Sequence, residues 1–367
     1  MALYRLPAAV GVLFILSASV SGAQVITPRP AFSLTGKVVA EVTGFPLPYA
    51  TVTLDPGPRE KFTDETGSFK FYDAPAGAYR VHIRQLGYIP VDTTVQFGPS
   101  IAPPVFSLVR IPTALAQVQV SAPPRRCIVP DEQGLVDDEE LTTILGEARK
   151  NADRERLLRK LYPFEYRLAQ RHDTYDKTAE THLVKYDTMT FRSDDAWGYR
   201  KGKIVSSDRN KLFGDVRVMR LPTLGDLADK RFLTAHCFKY AGIEQQAIGT
   251  VHRIDFQPLP NIIAPDVEGS IFLDSATYII RKAEFRLTRG GSIKPAVLKM
   301  EVITTYREIL PNVALFDEIR SVQPLPSEQG SNPSEFRQTQ QLLSYKFLHG
   351  GPPGAEGEPA RVSEGGR

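Results

Sequence analysis

Apolar residues at helical spacing occur in one long stretch, with Leu141, Ile144, Leu145, Ala148, Leu157, Leu158 and Leu161 near a period of 3.6. On either side of it the apolar residues recur at every second position, so a mainly β chain with one long helix is expected. Its 367 residues suffice for two domains. Hydrophobic residues at 42% and charged residues at 24% are ordinary for a soluble globular protein, which argues against disorder, a collagen or a polytopic membrane protein. The formal net charge of +3 lies far from the basicity of nucleic-acid binders, so nucleic acid is not an expected partner.

Residues 32–121 read as short strands joined by turns. Ala50, Val52 and Leu54 alternate with Thr51 and Thr53, which puts one face in a core and the other in water. In Thr63-Asp64-Glu65-Thr66-Gly67 the Asp can accept from its own downstream backbone and the Gly supplies positive φ, the chemistry of a turn. Phe69 and Phe71 then point inward. Ala74-Pro75-Ala76-Gly77 turns the chain again, into a strand with Tyr79, Val81 and Ile83 on one face. Strands at this spacing suggest a β-sandwich.

The pattern Gly36, Val38, Pro46-Leu47, Ala50-Val52-Leu54, Thr63-Asp64, Gly67, Phe69, Pro75, Gly77, Tyr79, Val81 and Gly87-Tyr88 resembles the carboxypeptidase regulatory-like domains. The resemblance implies a transthyretin-like (prealbumin-like) sandwich without catalytic residues of its own, of the kind that stands beside metallopeptidases or before the plug of TonB-dependent outer-membrane receptors. Some relatives bind starch or other glycans. The chain beyond residue 121 carries neither a carboxypeptidase's zinc-binding pattern nor the length of a receptor's plug and barrel.

Residues 122–136 have the composition of a linker, and residues 137–162 that of a helix with acids at its positive end and Arg154, Arg156, Arg159 and Lys160 at its negative end. Residues 163–348 are expected as a larger curved antiparallel sheet, with strands at 164–172, 181–191, 197–205, 252–256, 269–273, 278–287, 297–306, 313–322 and 336–347. A second short helix is expected at 223–235, capped by Thr223, and residues 349–367 as a disordered tail. The hairpin turning at Asp274-Ser275-Ala276-Thr277, preceded by Arg253-Ile254-Asp255-Phe256, is similar to curved-sheet envelope proteins of the lipoprotein-carrier kind. That similarity implies an apolar concavity, for which Phe272, Tyr278, Ile280 and Phe285 are the candidate lining; a filled core uses the same residue types.

Residues 1–23 read as an export signal: Arg5, an apolar run from Ala8 to Val20, then Ser21-Gly22-Ala23. Removal of that run leaves no expected membrane-spanning helix. Export to the periplasm, the outer membrane or the medium is thus expected. There Cys127 and Cys237, 110 residues apart, are a candidate disulfide worth about 4–5 kcal/mol in the chain-entropy model, with two separate buried thiols as the alternative.

No catalytic, metal or cofactor site is expected. The six histidines include no pair at zinc-helix spacing, and neither a Gly-x-Ser-x-Gly elbow nor a phosphate-binding Gly-rich loop occurs. His172-Asp173 and His182 lie on neighbouring expected strands, where a hairpin can join them around a metal or a proton; two polar residues on a solvated strand explain them as well. The expected function is binding of an envelope protein or an apolar ligand. Glycan binding through the sandwich, with Tyr88, Phe97 and Trp197 as contacts, is the alternative, and an unrecognised hydrolase stands third.

Overall fold

The computed structural model describes residues 31–57, 59–112, 127–131, 136–176, 181–194, 198–210, 214–220, 222–290, 300–324 and 335–352. The expected signal, most of the expected linker, Trp197 and nearly all of the expected tail lie outside these residues.

The first domain is a sandwich of two sheets. One sheet has the order β4 (Ser68–Pro75), β1 (Ala31–Ala40), β7 (Val105–Leu108), with β1 and β7 parallel. The other has the order β3 (Arg59–Phe62), β2 (Thr51–Asp55), β5 (Gly77–Arg84), β6 (Val91–Phe97). Ala50, Val52, Leu54, Phe69, Phe71, Val81 and Ile83 fill the space between them. The turn at Asp64 forms as its residues dictate, with Asp64 Oδ1 accepting from Thr66 N and Ser68 N at 2.9 Å each. Gly67 is required there, because φ is +73° and a Cβ would lie 2.5 Å from Val38 O.

Thr51, expected in water, is buried. Its face of the sandwich is covered: Phe62, its cross-strand partner, and Tyr49 join Leu157 and Leu158 of the long helix in one apolar cluster. That helix, α1 (Glu139–Leu161), is capped by Asp138, whose side chain accepts from Leu141 N.

The second domain is a nine-stranded antiparallel sheet in the order β12 (His236–Gln246), β13 (Gly249–Pro258), β14 (Asp266–Asp274), β15 (Ile280–Thr288), β16 (Glu301–Leu310), β17 (Val313–Pro324), β18 (Glu335–Phe347), β8 (Phe164–Asp176), β9 (Thr181–Arg192). The first strand after the helix is thus inserted beside the last strand of the sheet. A separate hairpin, β10 (Val205–Asn210) with β11 (Gly214–Met219), was not expected, nor was β12.

The strand expected at 197–205 does not form: residues 198–204 are loop and turn, and β10 begins at Val205. Tyr199 is the reason. It is fully buried, donates its O–H to Asp266 Oδ2 at 2.7 Å and takes its own backbone N–H to Asp226 Oδ1, so this backbone serves the core and not a ladder. The helix expected at 223–235 is shorter, a 3-10 turn at Asp226–Ala228 followed by α2 (Lys230–Leu233), which Asp229 caps. Among the described residues no helix is long and apolar enough to cross a membrane.

Candidate functional site

Helix α1 packs on both domains, through apolar and through polar side chains. Leu141, Ile144, Leu145 and Ala148 pack on the sheet with Ile254, Phe256, Ile271 and Phe285. Its polar stripe is also buried: Glu147, Lys150, Asn151 and Arg154 are each under 8% exposed. Lys150 Nζ donates to Glu147 Oε1 and Tyr88 O at 2.6 Å and to Gln85 O at 3.1 Å, while Gly87 N donates to Glu147 Oε2. Arg154 donates to Gln85 Oε1. Burial pushes both the Lys150 ammonium and the Arg154 guanidinium below their ordinary range, and the Glu147 carboxylate opposes this. Arg154, expected among the basic residues at the negative end of the helix, belongs to this junction. Asn151 completes it by donating to Tyr278 O and accepting from Ile280 N. The sandwich and the sheet are therefore gripped by one helix.

Three of the four expected cavity residues, Tyr278, Ile280 and Phe285, belong to the packed cluster under α1. Phe272 does not join them. It is buried on the opposite face of the sheet, beneath Lys282 Nζ at 4.1 Å and the Arg253 guanidinium at 5.8 Å from its ring centre.

Of the expected glycan contacts, Tyr88 is partly buried against the sandwich core and Phe97 lies within it, edge-on to Tyr79. Among the described residues the exposed aromatic residues of the sandwich are Phe45 and Tyr72, and Tyr72 sits between Lys61 and Lys70. Cys127 and Cys237 are bonded, with Cα atoms 5.3 Å apart, and Ile128 and Phe238 beside them exchange two backbone hydrogen bonds.

An open trough of about 980 Å³ lies on the sheet face away from α1, across β17, β18, β8 and β9. The register builds it from three rungs, each crossing the four strands: Glu318–Gln341–Ala169–Thr188, then Arg320–Thr339–Arg171–Tyr186, then Val322–Arg337–Asp173–Val184. Period-two alternation places all of these side chains on one face. Each of the three arginines pairs with an acid two residues away on its own strand: Arg171 with Asp173 at 2.8 Å, Arg320 with Glu318, and Arg337 with Glu335. The guanidiniums are thus oriented without excess charge, and the Arg171 group lies 5.9 Å from the centre of the Tyr186 ring.

At the trough's end a second concavity of about 460 Å³ shares Arg171, Asp173 and Arg337 and adds Tyr175, His182 and Glu335. Here Asp173 and His182 do meet, Nε2 to Oδ1 at 2.9 Å, while His172 points to the other face against Phe336. Hydrogen bonds from Arg171 first, then from His182, hold the Asp173 carboxyl below the ordinary carboxylate range. Residue types alone do not single out the trough, since Arg171 on β8 lies far along the chain from Arg320 and Arg337 on the consecutive strands β17 and β18.

Residues 33–102 match the family model of the carboxypeptidase regulatory-like domain, so the first domain is of that class. The chain matches no curated protein. Similar solved structures include a putative outer membrane lipoprotein-sorting protein domain from Vibrio parahaemolyticus, with 11% identity over 55% of this chain and 94% of that one and a TM-score of 0.27. A DUF1329 family protein from Desulfovibrio piger shares 9% identity over 56% of this chain and 94% of its own, with a TM-score of 0.30. For a LolA superfamily protein from Nitrosomonas europaea the values are 10%, 56%, 91% and 0.28.

Proposed function

We propose that this protein is a non-catalytic binding component of the bacterial cell envelope and that it holds a protein partner in the trough across β17, β18, β8 and β9. The three-rung grid carries the reading. Its oriented guanidiniums, amides and hydroxyls around the Tyr186 ring suit the backbone and side chains of a polypeptide segment, and they do not suit an apolar ligand. The disulfide between Cys127 and Cys237 supports a place outside the reducing cytosol, and the regulatory-like domain supports an accessory role. Helix α1 fixes the sandwich to the sheet, so the protein presents one rigid body to its partner.

Site-specific photo-crosslinking in cells tests this, with a photoreactive residue placed at Thr188 inside the trough or at Arg286, an exposed position on the same sheet face. A discrete adduct with a protein other than a second copy of this chain is expected from position 188 and not from 286. Adducts from 286 alone, or turnover of a substrate by the purified chain, would overturn the reading.

A further inference from the structure

The two edges of the nine-stranded sheet differ in how they are closed. At β12 the outer side is occupied, because Ile128 pairs with Phe238, the disulfide ties Cys237 to Cys127, and a register shift between Tyr240 and Gly242 interrupts the ladder. At the other end β9 runs for 12 residues, pairs with β8 without a register shift, and has no strand on its outer side among the described residues. It contains no proline. Leu183 is 55%, Tyr186 75% and Met189 41% exposed. A long unblocked edge of this kind is a template for another strand.

We propose that β9 pairs antiparallel with β9 of a second copy of this chain about a two-fold axis at Tyr186, joining the two sheets edge to edge. Charge complementarity selects both the occupant and the register. In an antiparallel pair of identical strands the axis must fall on a residue, because partners share the same hydrogen-bonding side. With the axis at Tyr186, Lys185 faces Asp187 of the second copy, and Leu183 faces its Met189. Each pairing occurs twice by symmetry. Leu183, Lys185, Asp187 and Met189 lie on one face of β9, so the matched pairs form one continuous row. Moving the axis one residue either way sets Lys185 against Lys185 or Asp187 against Asp187. The correct axis also brings the two troughs together, since each ends at Tyr186 and Thr188. The proposal does not rest on what the trough binds.

Light scattering and sedimentation of the purified chain should show a dimer. Lys185→Glu and Asp187→Lys should each weaken dimerisation by about tenfold, because each sets two like-charged pairs across the axis. The double swap Lys185→Asp with Asp187→Lys should restore it. Mild oxidation should crosslink Tyr186→Cys with itself, while Lys185→Cys should crosslink only when mixed with Asp187→Cys. Circular dichroism confirms that each variant is folded. A monomeric wild-type chain at every concentration, or a dimer indifferent to the single swaps and not crosslinked through position 186, would overturn the proposal.

Discussion

The inner face of the nine-stranded sheet meets two fates across its width. From β12 to β15 it carries Phe238, Ile254, Phe256, Ile271 and Phe285, and the N-terminal half of α1, the loop at 198–204 and α2 cover them. From β18 to β9 the same face passes from Leu342 and Leu168, which Leu157 and Leu158 cover, to Gln340, Gln170 and Asp187. Alternation supplies a face, and the cover decides whether that face becomes core. At the open end the sheet keeps polar residues on both sides, where no helix among the described residues reaches it, and that is the end that holds the trough and the bare edge.

The largest expected effect breaks this contrast by truncating one aromatic residue at each end. Phe232 is fully buried, its ring stacked on His236 at 3.9 Å and edge-on to Tyr199 and Phe256 at 5.1 and 5.4 Å. Phe232→Ala should cost about 3–5 kcal/mol of folding stability. Tyr186→Ala, measured on the same chain under dilute, monomer-favouring conditions, should stay within about 0.5 kcal/mol. Denaturant midpoints that shift equally would refute the division into a closed and an open end.

The next effect concerns the tie at the closed edge. Replacing Cys127 and Cys237 together by Ser opens a loop spanning 110 residues and should destabilise the protein by about 2–5 kcal/mol, the chain-entropy value being the upper end, read as a lower thermal midpoint. The same exchange frees the outer side of β12 near Phe238. If the covered edge matters for solubility, the double variant should also self-associate more than wild type under conditions where both are folded. An unchanged midpoint would mean that packing at Phe238 alone secures this edge.

Legibility in the sequence tracks the range of the interactions. The turn at Asp64, the inward Phe69 and Phe71 and the span of α1 are local, and the sequence pattern predicts each of them. β12 does not show in the sequence pattern because Gly242, at φ +104° beside a register shift, interrupts its alternation. Lys150 and Arg154 look like solvated helix charges, since helical spacing shows that a stripe is polar but not that Gln85 and Tyr88 of another domain cover it. Phe272 follows Ile271 and precedes Leu273, all three buried, so hydrophobicity could not say which face it takes. The trough is the least local feature: β8 is inserted between β18 and β9, and only that topology sets Arg171 beside Thr339 and two strands from Arg320.

The smallest effect sharpens the comparison through pH. His252 is buried at the closed end, stacked on Tyr278 at 5.2 Å between centres with the rings 5° from parallel, and its Nδ1 lies 2.7 Å from the Tyr240 hydroxyl. Burial lowers its pKa below the usual 6.5, while the Ser275 backbone and the carboxylates of Glu140 and Asp274 oppose the shift without cancelling it. Between the two values the unfolded chain holds a proton that the folded one does not, so stability rises with pH. The contribution is fully present above the unfolded value and is lost as pH falls through the folded one. His252→Phe keeps the stacked ring and removes the titration. The stability of wild type relative to this variant should therefore decline as pH drops below about 6.5, the unperturbed histidine value. A difference that stays constant through that range would mean that the imidazole is charged as readily in the fold as outside it, and that the closed end is wetter at His252 than its packing implies.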